Sequence, residues 1–261
     1  MDGYIRETDS MFFKHERSEN LPCNTYSMHT HSVYELLYFI DGDATYVIED
    51  RKYKLKKGDL ILIRPMHFHF IQIDSPTNYE RYDILFNSEK HRIESVALMP
   101  EGYEVINIAS NPVAEDIFKR CDLYRESCDD KTFSQILPHL LSELFYNISI
   151  FHGAPKGDYA TLSPIISAAL TYINDNLSTL RSIGEIARKL FVTESYLFRL
   201  FKKELHQTPK KYLTEKRLLL AERMISSGEK PITVSELCGF HDYTTFYRNY
   251  TARFGRPPSL V

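Results

Sequence analysis

The sequence lacks any run of about 18 apolar residues, so nothing in it predicts a membrane-spanning helix. Its start, MDGYIRETDS, lacks the basic and apolar regions of a secretory signal, and the expected location is the cytoplasm, with no membrane partner. Cysteine is scarce and scattered: Cys23, Cys121, Cys128 and Cys238 form no CxxC pair. That spacing indicates neither a zinc knuckle nor a disulfide framework, and the thiols are expected to be reduced and structural. Compositional bias is also absent. With 43% hydrophobic and 26% charged residues over 261 positions, the chain reads as globular, with room for one large or two ordinary domains.

The small net charge of -3 conceals a division. Residues 1–157 hold 17 Lys and Arg against 25 Asp and Glu, a net of -8, whereas residues 158–261 hold 15 against 10, a net of +5. A basic half suits a polyanion, because each neutralised phosphate releases counterions. That excess is modest, so the argument for nucleic acid must come from pattern.

From Tyr26 to Phe86, short runs rich in Tyr, Ile, Val and Leu are broken by turns at Asp41-Gly42-Asp43, Glu49-Asp50-Arg51, Lys57-Gly58-Asp59 and Asp74-Ser75-Pro76. This predicts a β sandwich or barrel. The strand with Lys52, Lys54, Lys56 and Lys57 reads as an exposed basic edge. After Pro112 the period becomes helical, with one helix near 112–127 and a second carrying Ile136, Leu140, Leu141, Leu144, Phe145 and Ile148, where Pro138 suits a first turn. The second helix has more apolar surface than a covering helix needs, so either all of it enters the core or part of it packs on a second copy in a homodimer. Gly153 to Asp158 combines breakers with charge. The expected division is a first domain over 1–152, to which the resemblances below assign ligand sensing and dimerisation, a linker over 153–162 and a helical domain over 163–261.

The helical part is strongly punctuated. Ser182 and Glu185 read as a capping box, Thr193 as the next cap, Thr208-Pro209 as the start of a longer helix ending at Gly228, Thr233 as the start of a short helix ended by Gly239, and Asp242 as the last cap before Gly255. Two short-then-longer helix pairs therefore repeat. In the first, Leu197, Phe201 and Leu205 form an inward stripe that leaves Ser195, Phe198, Arg199 and Lys202 outward. Forty-nine positions later Phe246, Tyr250 and Phe254 lie inward and Thr244, Tyr247, Arg248 and Thr251 outward, with Tyr243 just ahead. Arg can bond guanine O6 and N7, hydroxyls can reach bases or phosphates, and an exposed ring can pack on a thymine methyl, so these faces suit the major groove of double-stranded DNA. Lys202, Lys203, Lys210, Lys211 and Arg253 are candidate phosphate contacts.

The stretches SIGEIARKLFVTESYLFRLFKKELHQTPKKYLTEKRLLLAERMI and VSELCGFHDYTTFYRNYTARFGRPPS resemble the AraC/XylS family of transcription regulators, over nearly all of residues 163–261. The resemblance implies two helix-turn-helix units on a connector helix, entering adjacent major grooves on one face of DNA, and an activator would also contact RNA polymerase. The sequence departs from the family at His206 and Phe191, where Gly is common, so the first recognition helix is expected to end without an easy left-handed cap. It departs again at Pro231 and at Thr251-Ala252, where two Lys are frequent.

In the N-terminal half, His29, His31, Glu35 and Gly42 follow the order HxHxxxExxxxxxG, with Gly58-Asp59, Pro65 and His69 beyond. This resembles the cupin barrel and implies four metal ligands, His29, His31, Glu35 and His69, with His67 competing for the last place. Imidazole with carboxylate suits Fe, Mn, Ni or Zn. No cofactor is required by this reading, and a divalent transition metal is one expectation. The other is that the same polar residues, in a barrel rich in Tyr26, Tyr34, Tyr38, Tyr46 and Phe68, bind a small effector such as a sugar through His29, His31, Glu35, Tyr38, Arg64, His67 and His69.

The expected protein is thus a non-enzymatic, sequence-specific transcription regulator, an activator by family tendency, built as a cupin-like β-barrel with two trailing helices and an all-α domain. A cupin metalloenzyme with a helical appendage is the alternative, but it leaves the helical repeat unexplained. A ligand-independent architectural DNA binder would leave the barrel idle.

Overall fold

The structure is a computed structural model that describes residues 11–99, 102, 104–151 and 159–259. The alternating runs fold into strands β1 (Phe12–Leu21), β2 (Asn24–Thr25), β3 (Tyr34–Asp41), β4 (Ala44–Ile48), β5 (Arg51–Lys54), β6 (Asp59–Ile63), β7 (His69–Ile73), β8 (Thr77–Phe86) and β9 (Val105–Asn107), followed by helices α1 (Pro112–Ser127) and α2 (Asp130–Phe151). With β10 (Ala160–Thr161) they make two five-stranded sheets, ordered β1-β8-β3-β6-β9 and β10-β5-β4-β7-β2.

Side-chain alternation decides what each sheet covers. On β3, Leu37 and Phe39 face inward with Tyr46, Ile48, Ile61, Ile71 and Tyr79, filling the space between the sheets. Leu36 and Tyr38 face the other way, onto the core shared with Phe118, Leu141 and Phe145 of α1 and α2. A strand buried on both faces must be apolar almost throughout, which is why YELLYFID reads as a run. The second sheet is covered on its outer side as well. Val47, Phe68 and Phe70 belong to one core with Leu170, Leu197, Phe201 and Tyr212 of the helical domain. Each such side chain contributes roughly 1.5–3 kcal/mol when fully buried.

The helical domain comprises α3 (Pro164–Asp175), α4 (Ile183–Lys189), α5 (Glu194–Leu205), α6 (Pro209–Ser226), α7 (Pro231–Leu237) and α8 (Tyr243–Phe254). The repeat holds in three dimensions, since α5 and α8 begin and end 49 residues apart. Thr193, Thr208 and Asp242 cap their helices, accepting from Tyr196 N, Lys211 N and Thr245 N. Between the units, Arg217 is buried and donates to the carbonyls of Leu177 and Leu180. Gly239, at φ 80°, lies so close that an added Cβ would sit 2.4 Å from Ser178 O. No other residue fits there.

Several expectations need correction. Pro138 lies well inside α2, because the helix starts earlier, at Asp130, than its apolar period suggested. Ser182 makes no capping bond, and Glu185 accepts instead from Arg181 N at 3.3 Å. The short helix begins at Pro231, not Thr233, because a proline at the first helical position lacks an N–H that would have gone unpaired anyway. The basic edge on β5 is paired by β10, Lys52 with Ala160 and Arg51 with Thr161, so the last residues of the expected linker are a strand of the sensor's sheet. Gly153 to Asp158 lie outside the described residues.

His206 supplies the left-handed cap itself, at φ 56°, as Gly255 does at φ 68° in the second unit. Phe191, in the turn between α4 and α5, is also left-handed at φ 55°, and its side chain is 96% exposed. A non-glycine residue pays about 1–2 kcal/mol in this conformation, and an exposed ring returns nothing for it. Phe191→Gly is therefore expected to raise stability by about 1 kcal/mol in urea unfolding, the greater freedom of glycine in the unfolded chain taking back part of the relief. A loss of stability would show that the ring packs on something in solution.

Candidate DNA-reading faces and sensor site

In α5, Leu197, Phe201 and Leu205 are completely buried, which turns Ser195, Phe198, Arg199, Lys202 and Lys203 to solvent. In α8, burial of Phe246 and Tyr250 does the same for Thr244, Tyr247 and Arg248. Phe198 and Tyr247, at equivalent positions, are 47% and 42% exposed, so neither serves as a core aromatic. The Arg199 guanidinium rests over the Tyr196 ring at 5.8 Å. Tyr243 is half-buried against Phe246 and Tyr247, and Thr251 is half-buried too. Lys210 and Lys211 are exposed, as a phosphate contact requires. Arg253 is not available in this way, because it donates to Glu215 at 2.9 Å and to Thr30 O at 2.9 Å.

The sensor's histidines converge, although not from one strand. His29 forms an isolated bridge with His69, His31 precedes a bend, and Glu35 lies on β3. The turn at Ser32-Val33 separates the two histidines from the glutamate. Ligand atoms of His29, Glu35 and His69 lie within 4.8 Å of one another. His31 Nε2 is 2.9 Å from Glu35 Oε2. Each imidazole is oriented by a backbone carbonyl at its Nδ1: Ser27 for His29 at 3.1 Å, Val33 for His31 at 2.8 Å and His67 for His69 at 3.0 Å. Donation from Nδ1 leaves Nε2 turned toward Glu35. That is how second-shell bonds present imidazole to a metal.

The electrostatics agree. His29 keeps an exposed edge, but the protein packed around its ring desolvates it and, with His69 adding to the effect, lowers its pKa to about 4, so the neutral imidazole with a lone pair on Nε2 is favoured. Burial also opposes protonation of His31, but the Glu35 hydrogen bond and charge outweigh it and raise its pKa. Glu35 is buried too, and His69 followed by His31 still hold its pKa well below the ordinary range. His69 Nε2 is the informative atom: it is fully buried and lies 3.1 Å from Glu35 Oε2, an ion-pair contact without good hydrogen-bond geometry. The donors that converge, the imidazoles of His29 and His69 and the Glu35 carboxylate, fit a divalent transition metal, whereas the Nε2 of His31, the fourth expected ligand, is bonded to Glu35.

Tyr38 does not join this site. Its parity on β3 is opposite to Glu35, and its ring stacks on Phe118 at 4.5 Å. Arg64 donates to Met99 O at 2.6 Å. His67 faces a separate cavity of about 200 Å³ lined by Ile48, Glu49, Asp50, Arg51, Gly102 and Glu104. Tyr46, expected as part of the aromatic lining, donates to Glu35 at 3.2 Å, and sequence reading missed two members of the polar interior, Arg81 and Asp83. Arg81 Nε and Asp83 Oδ1 are buried without a hydrogen bond. Their signal was the period-two series Tyr79, Arg81, Asp83, Leu85, which places two charges on the inward face of β8.

A sheet-rich sensor joined to two repeated helix-turn-helix units defines a class, the transcription regulators that couple ligand binding to DNA. Residues 17–147 match the AraC-like ligand binding domain, and residues 186–261 match a helix-turn-helix domain. The chain is 32% identical over 218 residues to the lactose operon transcription activator of Staphylococcus xylosus, covering 82% of this chain and 77% of that one. It is 24% identical over 263 residues to the raffinose operon transcriptional regulatory protein RafR of Pediococcus pentosaceus, covering 97% and 92%. It is also 24% identical over 246 residues to an uncharacterized HTH-type transcriptional regulator, YfiF, of Bacillus subtilis, covering 89% and 77%. The chain belongs to the AraC family of transcription regulators.

Burial, and then the Glu35 charge, push the Asp83 carboxyl up from 3.8 to about 7. On a rise in pH the unfolded chain loses this proton first, so the contribution of Asp83 to stability is complete below 3.8 and gone above about 7. Asp83→Asn keeps the uncharged form, and it is expected to gain about 2–4 kcal/mol on the wild type between pH 4 and pH 8 in paired urea titrations. A difference that does not change with pH would mean that the carboxyl ionises normally.

Proposed function

We propose that this regulator is a cytoplasmic activator that binds DNA as a homodimer and responds to a small polar effector, a sugar, taken up inside the sensor barrel. The observation that carries the DNA reading is the duplicated exposed face, an Arg beside a half-exposed aromatic at the same place in α5 and α8. Arg199 and Arg248 read base edges, Ser195, Phe198, Thr244 and Tyr247 add hydroxyl and thymine-methyl contacts, and Lys202 and Lys203 fix the register on phosphates. RNA polymerase is the further partner of an activator.

The effector reading is supported by the barrel's buried polar groups. His69 Nε2, Arg81 Nε and Asp83 Oδ1 make no hydrogen bond, though His69 is ion-paired with Glu35 and Arg81 with Asp83, and hydroxyl groups could bond donor and acceptor alike. Relatives named for lactose and raffinose operons favour a sugar. His29, Glu35 and His69 would hold a divalent metal beside that space, with His31 steadying Glu35. The metal would order the ligand-bearing segments, and no chemical step is assigned to it.

Dimerisation is supported by the far end of α2, where Tyr146, Ile150 and Phe151 are 57%, 70% and 68% exposed. Val113 at the start of α1 is also exposed, and the Asn111–Asn147 hydrogen bond, 2.6 Å long, places it beside them. A second copy of this face would cover the patch.

Genomic fragments selected by the wild type supply the test. Arg199→Ala and Arg248→Ala are each expected to weaken binding to those sites by about 1–3 kcal/mol, about fivefold to somewhat over a hundredfold, while weak salt-sensitive binding to unrelated DNA persists. Unchanged selectivity in both variants would mean that the outward faces do not read bases.

A further inference from the structure

The histidine cluster is carried by two segments, 28–31 and 66–70, and each has a reverse side. They are joined by the rung between His29 and His69, whose N–H groups donate to each other's carbonyls at 3.0 Å. Side chains on such segments alternate. His29, His31 and His69 turn toward Glu35, and the residues between them meet the DNA-binding domain instead. Gln207 donates to Met28 Sδ, Arg253 to Thr30 O at 2.9 Å and Lys216 to Met66 O at 2.9 Å. Phe68 stacks on Tyr212 at 4.3 Å, and Phe70 meets the edge of His206 at 5.2 Å. Glu49 accepts Phe68 N at 2.9 Å, and across the interface it accepts Tyr212 Oη and Lys216 Nζ, each at 2.7 Å. These contacts reach the end of α5, the connector α6 and α8, so both helix-turn-helix units are held.

We propose that a divalent transition-metal ion bound by His29, Glu35 and His69, with His31 steadying Glu35, is sensed by the DNA-binding domain through the reverse side of the segments that carry the histidines. The inference rests on reading the cluster as a metal site. Ligand atoms drawn to about 2.0–2.2 Å from one ion pull His29 and His69 together with their shared rung. Met28, Thr30, Phe68 and Phe70 are covalent neighbours of those histidines, and they are packed too closely against the other domain to stay behind. In the docked arrangement the ligand atoms of His29, Glu35 and His69 already lie within 4.8 Å of one another, so the ion favours docking over release. By reciprocity, whatever releases the DNA-binding domain weakens the ion's binding by the same factor.

Co(II) is the probe, because its visible absorption reports binding independently of docking. Titrated into the full chain, it is expected to give a saturable band and to slow hydrogen exchange at residues 206–217 as well as at 28–31 and 66–70. The double variant Glu49→Gln/Lys216→Met removes both charges of the bridge without stranding one, and Arg253→Met is a milder break should the double variant not fold. Each is expected to bind Co(II) at least about fivefold more weakly. His29→Gln should lose the band and the protection at 206–217 together. Unchanged Co(II) affinity in both docking variants, with unchanged exchange at 206–217 in the wild type, overturns the coupling and leaves the metal site standing. Absence of a saturable band in the wild type overturns the metal site and the coupling with it.

Discussion

The arrangement of the whole molecule depends on one carboxylate. Glu49 lies in the turn after β4, and its oxygens accept from Phe68 N on its own domain and from Tyr212 and Lys216 on the other. Lys216 is 6% exposed and the Glu49 side chain 18%, so this ion pair is largely, not wholly, shielded from water. Burial alone would raise the Glu49 pKa, yet Lys216 holds it below the ordinary value. Burying two charges costs several kcal/mol each, which attraction and further hydrogen bonds only partly offset. A buried pair is therefore weak evidence for stability. It is better evidence for specificity, because only one relative placement of the domains satisfies it, and stranding either partner costs about 3–5 kcal/mol.

That constraint also explains how the helical domain is used. Its inner surface packs on the second sheet through Phe68 and Phe70, while the faces with Arg199 and Arg248 stay open. Between the units, buried Arg217 and the close approach at Gly239 hold the first unit against the turn of the second. The spacing of the two reading faces thus follows from backbone contacts, and the sensor grips both units without covering either face.

Much of this was legible in the sequence, for reasons that can be named. The 49-residue repeat survives because both units need the same inward stripe, and the caps at Thr193, Thr208 and Asp242 are chemistry local to four residues. His29, His31, Glu35 and His69 were legible because their types and spacing are unusual. What was not legible depends on contacts between distant segments. Glu49 and Lys216 look like solvated charges until the domains meet. Arg253 looks like a phosphate contact until Glu215 and Thr30 claim it. Tyr38 looked like a site residue because it is aromatic and near Glu35, yet three positions along a strand reverse the face. Pro138 was misplaced because a polar first turn, Asp130 to Thr132, carries no apolar period.

The sensor interior combines two features that rarely coexist without a ligand. Its lining is apolar, yet His69 Nε2, Arg81 Nε and Asp83 Oδ1 make no hydrogen bond, although His69 is ion-paired with Glu35 and Arg81 with Asp83. Each unsatisfied group of this kind costs about 1–3 kcal/mol. A ligand that adds a hydrogen bond to these groups gains on the scale of couplings between sites in proteins, about 1–3 kcal/mol. The scale of the unmet bonding is thus sufficient to drive a switch. Since Glu35 faces both the histidines and, through its charge, Asp83, a proton, a metal or a hydroxyl group arriving at one side alters the field at the other. The segments that feel this change are the same ones whose reverse sides hold the DNA-binding domain.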